Sequence, residues 1–226
     1  LSFGFAWTWS KSMDFVDAET QVIQADLVNP RVWNYGLASF DRTHVVKINW
    51  QYDVPRPGVA NPVLRAVLHH WQLSGITTFQ SGAPVGVGYS QLVATDITGT
   101  PSQGARIVVT GNPVLPKSER TFSRNFRTEV FQLPQRGTFG NAAKTLLRGP
   151  GANNFDIAVF KNIPIDEAFK AQFRCEMYNA FNHTQFTGFD TGARFDAQGQ
   201  QVNPRFGEFT AAARARAIQL ALRLSF

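Results

Sequence analysis

The sequence has very few of the residues that stabilise a small secreted domain or a helical membrane protein. Its 226 residues contain one cysteine, Cys175, so no disulfide can form within the chain. Charged residues account for only 17% of the chain, yet no apolar run approaches the roughly 18 residues that a membrane-spanning helix needs. These absences exclude a disulfide-framework domain and a helical membrane protein.

Motifs for catalysis, metal binding and nucleic-acid recognition are also absent. The sequence has no nucleophile elbow, no phosphate-binding loop and no recognisable pair of catalytic carboxylates. His69 and His70 are adjacent and would point to opposite faces of a strand, while His44 and His183 lie far away in the chain. The net charge is +6, but the basic residues are scattered and form no stripe. We therefore expect no enzymatic activity, no cofactor, no metal site and no nucleic-acid partner.

Aromatic residues, glycine and proline are abundant instead. Aromatic residues make up 13% of the chain, with 20 phenylalanines, and there are 18 glycines and 12 prolines. This composition favours strands and turns over helices. It predicts an all-β fold.

Apolar and polar residues alternate along six segments, which is the side-chain period of a β-strand. In the second segment, Val46 and Ile48 alternate with Lys47 and Asn49. The third segment is weaker, because Ile76 is out of phase. The predicted strands span residues 1–12, 44–54, 71–87, 154–165, 169–181 and 216–226.

The length of the strands and of their connections points to a membrane barrel. Strands of about 10–13 residues exceed the 5–6 that are usual in soluble sheets, but match the roughly 9–11 tilted residues that cross a bilayer. Long loops, residues 13–43, 90–152 and 182–214, alternate with shorter links at 55–70 and 166–168. Outer-membrane barrels have long extracellular loops and short periplasmic turns. The pattern predicts an antiparallel up-and-down meander of about six long transmembrane strands in the bacterial outer membrane.

The intermediate link contains a predicted short helix. Its sequence, "NPVLRAVLHH", provides Asn61 as an N-cap and Pro62 in the first turn. The alternation of links places this helix at the periplasmic end of the strands.

The aromatic residues at the strand ends agree with this arrangement. Trp and Tyr prefer the headgroup level of a membrane. If the first strand runs outward, Trp7 and Trp9 lie at the outer rim, and Trp50, Tyr52 and Trp71 lie at the inner rim. One assumption about direction therefore predicts two aromatic girdles.

The polar parity of the strands predicts the residues that face a lumen. Lys161 is the exception, because its parity directs its charged side chain toward lipid. Snorkelling of the side chain, or a β-bulge near Phe160, would reduce the free-energy cost of placing this charge in the membrane. The lumen-facing candidates, which could contact a plug or a solute, are Lys47, Gln51, Asp53, Gln172, Arg174, Glu176, Gln219 and Arg223.

The loop at 90–152 is basic. It has two interpretations, a surface for lipid-A phosphates or an acidic ligand, and a solvated loop without a partner. Its net charge of +5 comes from Arg106, Lys117, Arg120, Arg124, Arg127, Arg136, Lys144 and Arg148 against Asp96, Glu119 and Glu129.

Six phrases of the sequence resemble a known family in their order. They are "FAWTWSKSMD", "FDRTHVVKINWQYDVP", "WQLSGITTFQSGAPV", "GTFGNAAKTLLRGPGANNFDIAVFKNIPI", "FKAQFRCEMYNAFNHTQF" and "IQLALRLSF". Together they resemble the carboxyl-terminal barrel of TonB-dependent outer-membrane transporters, and most of all the Oar-like group. The resemblance is weakest across residues 88–125 and 190–212.

The resemblance implies a barrel of 22 strands with an amino-terminal plug and a TonB-contacting segment, which imports a scarce nutrient. Its partners would be outer-membrane lipid and lipopolysaccharide, TonB and the barrel-assembly machinery. In the family, the terminal aromatic residue is the assembly signal, which here corresponds to Phe226 together with Leu224 and Leu222. The resemblance does not identify the transported substrate.

The chain lacks several parts that this family pattern includes. It has six predicted strands and neither a plug domain nor a TonB-contacting segment. Leu1 already lies within an alternating pattern, so we expect that an upstream part, including the rest of the barrel and the plug, is missing. TonB would then be contacted only through that part.

Two alternative functions remain open from the sequence. The first is a passive outer-membrane channel or another barrel without a plug. The second is a soluble β-rich module that binds carbohydrate, although the strands of a β-sandwich are usually shorter and its turns more frequent.

The strand parity predicts opposite tolerance at two neighbouring positions. Met177→Arg should impair membrane assembly far more than Glu176→Arg, because a charge on the lipid face costs roughly 2–4 kcal/mol at the midplane and less toward the interfaces. The measurement is the amount of folded protein in the outer membrane. Equal tolerance at both positions would contradict the assigned parity.

Overall fold

The computed structural model describes residues 1–17, 28–100, 103–165 and 169–226. Its main feature is an antiparallel sheet of six long strands, in which each strand pairs with the next one along the chain. This confirms the predicted all-β meander. The strands are β1 (Ser2–Trp9), β2 (His44–Asp53), β3 (Trp71–Gln80), β4 (Ala152–Pro164), β5 (Lys170–Tyr178) and β6 (Ala217–Ser225).

The strand register gives the sheet two different faces. Val159 of β4 lies opposite Leu73 of β3 and Cys175 of β5, and Cys175 lies opposite Leu220 of β6. These residues belong to what we call the apolar face. The neighbouring positions form the polar face, on which Glu176 of β5 is opposite Gln219 of β6. Partners across an antiparallel pair point to the same side, so the alternation is consistent across all six strands.

The weak alternation in the third strand has a structural cause at Gly75. Gly75 occupies an apolar-face position opposite Trp50, and a Cβ there would come within 2.7 Å of the Trp50 ring. The indole of Trp50 therefore covers the place where β3 has no side chain. Ile76 in turn lies on the polar face, opposite Asn49 and Asp156.

The predicted third strand, residues 71–87, is too long, because β3 ends at Gln80. Beyond Gln80, Pro84–Val85 pairs with Leu147–Arg148. This pairing continues the register in which β3 pairs with β4. Between these pairs the backbones come too close for side chains, since a Cβ on Gly82 would overlap the carbonyl oxygen of Gly149 at 1.8 Å. The close crossing interrupts the strand where it leaves the sheet.

The long loops contain further secondary structure and are not simple connections. Short strand pairs join Met13–Asp14 to Gly36–Leu37, Val108–Val109 to Phe131–Gln132, and Phe186–Phe189 to Phe209–Ala212. Gly88–Gln91 pairs in parallel with Gly192–Phe195 and so links the second long loop to the third. The first loop also contains the helix α1 (Pro30–Trp33), and the second contains 3-10 turns at Lys117–Glu119 and Thr128–Val130.

These loops enclose a hydrophobic core of their own. We call the described parts of residues 10–43, 81–151 and 179–216 the loop assembly. Phe126 is fully buried and packs its ring against Phe131, Phe189 and Phe206 at centroid distances of 5.1–5.7 Å. Residues 90–152 thus contribute to a packed core, and whether their exposed basic side chains bind a ligand or are only solvated is not tested by this packing. The buried members of the core are Val87, Ile107, Phe126, Phe131, Ala142, Leu147, Ala193, Phe195 and Phe206.

The links at the opposite end are shorter. Between β2 and β3 lies the helix α2 (Pro62–Leu68), and the side chain of Asn61 accepts hydrogen bonds from the amides of Val63 and Leu64 at 2.8 and 3.2 Å. The predicted helix with its Asn61 cap is thus confirmed. The short link at 166–168 between β4 and β5 lies outside the described residues.

The loop core makes a prediction about local stability. Phe126→Ala should destabilise the loop assembly by about 3–5 kcal/mol, because it opens a cavity among three aromatic rings. Limited proteolysis should then cleave within residues 81–151 while the protein stays in the membrane. Phe40→Ala is the matched control, because the Phe40 side chain is 66% exposed. Equal protease resistance of both variants would show that Phe126 does not hold the loops together.

Candidate functional site

The eight lumen-facing candidates all lie on the polar face of the sheet. Two pairs are direct cross-strand neighbours, Gln172 with Arg223 and Glu176 with Gln219. Lys47, Gln51 and Asp53 lie apart from them, on β2. The structure thus brings together the candidates of β5 and β6 and separates those of β2.

A chain of hydrogen bonds orders the side chains in the half of the polar face near β5. The Arg174 guanidinium donates to the Gln172 amide oxygen at 2.6 Å, and Gln172 donates to Asn162 at 2.7 Å. Arg174 also lies over the ring of Phe160, with 5.6 Å to the centroid. Charged and amide groups held in this way can bind a polar partner without first losing their own rotamer freedom.

Two polar residues of this surface were missed in the sequence. Asn162 joins the hydrogen-bond chain, and Gln72 donates to the Asp53 carboxylate at 2.8 Å. Both have the parity of the predicted lumen residues, so the alternation itself could have identified them.

A cleft of about 770 Å³ lies where the sheet meets the loop assembly. Gln80, Asn154 and Asp156 line it from the strands, and Arg42 and Arg214 line it from the loops. The Asp156 carboxylate accepts hydrogen bonds from the Asn154 side chain at 2.8 Å and from the amide of residue 179 at 2.9 Å. These two hydrogen bonds hold the Asp156 side chain in place at the wall of the cleft.

Ion pairs fasten the first long loop to the second. Lys144 pairs with Asp14 and, at 3.2 Å, with Asp17. Arg148 pairs with the buried Asp41 at 2.6 Å. These carboxylates neutralise part of the basic charge that the sequence places between residues 90 and 152.

A cation–π contact adds to this attachment. The Arg106 guanidinium lies 4.4 Å from the ring centroid of Trp33 and donates hydrogen bonds to the carbonyl oxygens of Trp33 and Ala142. Burial lowers the pKa of Arg106 from its ordinary value. A guanidinium keeps its charge despite such a shift, so Arg106 remains a cation at the junction of the two loops.

The environment of Asp41 determines its ionisation. Burial alone would raise the pKa of the carboxyl group, but the amide of Ser12 and the guanidinium groups of Arg148 and Arg42 outweigh it and hold the pKa below the ordinary 3.8. Asp41 is therefore charged at neutral pH. It connects Ser12, which follows β1, to Arg148, which precedes β4.

The girdle residues all project from the apolar face. Trp7 and Trp9 are 59% and 74% exposed at the end near the long loops. Trp50, Tyr52 and Trp71 lie at the opposite end of the sheet. Their contact with lipid headgroups stays a prediction.

The predicted assembly signal lies at the end of β6. Leu222 and Leu224 are opposite Phe173 and Ala171 on the apolar face and are exposed. Phe226 follows the strand and is fully exposed. The structure thus leaves these side chains accessible, and their recognition by assembly machinery stays a prediction.

Lys161 has neither of the two solutions expected from the sequence. The register through Trp71, Lys161 and Phe173 is unbroken, so no bulge rotates the side chain away from the apolar face. The ammonium group does not reach toward water. It donates hydrogen bonds to the backbone carbonyl oxygens of residues 66, 67 and 69, at the carboxyl end of α2.

Among the described residues, no group of three or more His, Cys, Asp or Glu side chains is arranged to hold a metal ion. None of the helices in the described ranges is long and apolar enough to cross a membrane.

The depressed pKa of Asp41 predicts an acid-sensitive loop assembly. A lowered folded pKa adds stability above the ordinary value of 3.8, and this stability is lost as the pH falls through the folded value. Asp41→Asn should remove about 1–3 kcal/mol at neutral pH, since it leaves the Arg148 guanidinium without its carboxylate partner, and should reduce the acid dependence by the share that Asp41 contributes. Protease resistance of the loop assembly at neutral and acid pH measures both effects.

The matched control removes an exposed ion pair of the same loop. Glu129→Gln breaks the ion pair between Glu129 and Arg124, whose side chains are 56% and 52% exposed respectively. Because the pair is exposed, its loss should change the protease resistance little. An Asp41→Asn variant that behaves like this control at both pH values would contradict the role of Asp41.

The fold and the two sheet faces agree with comparisons to known proteins. A family model described as an outer membrane beta barrel domain matches residues 1–219. Searches of curated proteins and of solved structures gave no significant match. The family match covers nearly the whole chain and indicates localisation in the bacterial outer membrane. The chain therefore belongs to the outer-membrane β-barrel domain family.

Proposed function

We propose that the chain is the carboxyl-terminal part of the barrel of a TonB-dependent transporter that imports a scarce nutrient. The observation that carries the proposal is the open sheet, since β1 and β6 are the outer strands in the order of its six strands. The smallest outer-membrane barrels have about eight strands, and an unpaired strand edge in lipid leaves its backbone groups unsatisfied. Further strands are needed to close such a sheet into a barrel.

The resemblance of six phrases to TonB-dependent transporters supports a large barrel of about 22 strands for this closure. A barrel of that size has a lumen wide enough for a plug. The polar face carries ordered groups that suit contact with such a plug, among them Arg174 and Gln172. In this proposal, the plug and the TonB-contacting segment belong to parts of the protein outside residues 1–226.

The remaining partners follow from the surfaces of the sheet. The apolar face contacts outer-membrane lipid, and the basic residues left exposed on the loop assembly meet lipopolysaccharide. Phe226 is recognised by the barrel-assembly machinery during insertion. We propose no enzymatic activity, no cofactor and no nucleic-acid partner for the chain.

A soluble carbohydrate-binding module fits the described surface poorly. The side chains of β6 on its apolar face, Ile218, Leu220, Leu222 and Leu224, are each more than half exposed. A continuous exposed apolar surface of this kind promotes aggregation in water and is stable in lipid. The passive channel is the main rival, and an experiment can separate it from the transporter.

Conductance and TonB binding of the native protein test the proposal. We expect a plugged barrel to leave a planar lipid bilayer with little added conductance and to bind the purified periplasmic domain of TonB. A porin reconstituted in the same way is the positive control for conductance. Steady open pores together with no TonB binding would contradict the transporter and support the passive channel.

A further inference from the structure

The helix α2 is attached to the lipid-facing side of the sheet by two residues of that side. Trp71 and Lys161 are neighbours on the apolar face of β3 and β4. The Trp71 indole donates to the carbonyl oxygen of Val67 at 2.8 Å, and the Lys161 ammonium donates to those of Ala66 and Val67 at 2.7 and 3.0 Å. The carboxyl end of α2 therefore lies over the apolar face.

These contacts explain how so short a helix is stable at this position. A helix of seven residues is marginal alone in water, and the last carbonyl groups of any helix lack partners within it. Asn61 satisfies amides at the first turn, and Lys161 and Trp71 satisfy carbonyls at the last. The positive charge of Lys161 also complements the negative end of the helix dipole.

All seven residues of α2 are exposed, and four of them form an apolar stripe. Val63, Leu64, Val67 and Leu68 are exposed by 69%, 50%, 55% and 41%. Their spacing places them on one side of a helix, whereas Arg65 and Ala66 lie on the other. The helix that carries this stripe is bonded at its carboxyl end to Trp71 and Lys161 of the apolar face.

The charge of the surrounding link is uniformly positive. Residues 54–70 contain Arg56, Arg65 and two histidines and no acidic residue. Arg56 and Arg65 are both exposed, and Arg65 lies on the helix side away from the apolar stripe. An apolar stripe next to basic groups is the pattern of helices that lie in a membrane interface.

We propose that α2 is an interfacial anchor that inserts its apolar stripe into the phospholipid of the periplasmic leaflet. The short links of outer-membrane barrels lie at the periplasmic side, and α2 is in a short link. Arg56 and Arg65 then lie at the level of the lipid phosphates. Lys161 holds the helix against the barrel wall and so positions the stripe at the membrane surface.

Depth measurements on the native protein in lipid vesicles test the anchor. Nitroxide labels are attached at Val67→Cys and, as the matched control one residue away, at Ala66→Cys, both with Cys175→Ala. The vesicles contain phosphatidylethanolamine with or without phosphatidylglycerol. For each label, collision with oxygen, which concentrates in lipid, is compared with collision with a water-soluble nickel chelate.

We expect the ratio of oxygen to nickel collisions to be several-fold higher at position 67 than at position 66. Phosphatidylglycerol should increase the ratio at position 67, because its negative charge attracts the basic link. Equal, nickel-favouring ratios would place α2 in water, and low collision with both reagents at position 67 would show that protein covers the stripe. Either result would overturn the proposal.

The role of Lys161 is tested in the same assay. Lys161→Met removes the donor for the helix carbonyls without leaving a charge in the apolar face, and should abolish the difference between positions 67 and 66. Lys170→Met, an exposed lysine at the same end of the sheet but on the polar face, is the control and should preserve the difference. An unchanged difference in Lys161→Met would contradict the positioning role. None of these outcomes depends on TonB binding or conductance, so the anchor and the transport proposal can fail separately.

Discussion

Backbone groups that lie at membrane depth must find their hydrogen-bond partners within the protein, and this constraint governs the rest of the structure. The six long strands meet it by pairing in chain order, with β1 and β6 as the outer strands of the sheet that the described residues form. Unbroken pairing also fixes the register. Once the register is fixed, each side chain is assigned to the apolar or to the polar face, and the two faces take different compositions.

The same constraint explains why side chains of the sheet donate hydrogen bonds to the carboxyl end of α2. A helix end over the apolar face would leave carbonyl groups facing lipid without donors. Lys161 supplies these donors from the neighbouring strand, and its charge is tolerable there because three backbone oxygens surround it. The residue that looks most out of place in the sequence thus completes the hydrogen bonding of another element.

The loops obey a different rule, because water is available to them. They are stable as a unit since they bury aromatic side chains around Phe126 and form ion pairs at low exposure, such as Arg148 with Asp41. Parallel pairing of Gly88–Gln91 with Gly192–Phe195 joins segments that are about a hundred residues apart. The result is an ordered assembly at the end of the sheet that carries the long loops.

The sequence by itself determined the six strands and the parity of their faces, because a period of two needs only local information. It also determined α2, whose Asn61 cap and Pro62 are local signals. Only the tertiary structure decided the end of β3 at Gln80, the cover that Trp50 provides for Gly75, the partners of Lys161 and the core of the loops. Each of these depends on atoms that are distant in the chain and adjacent in space, and no local pattern encodes which distant segment will be the neighbour.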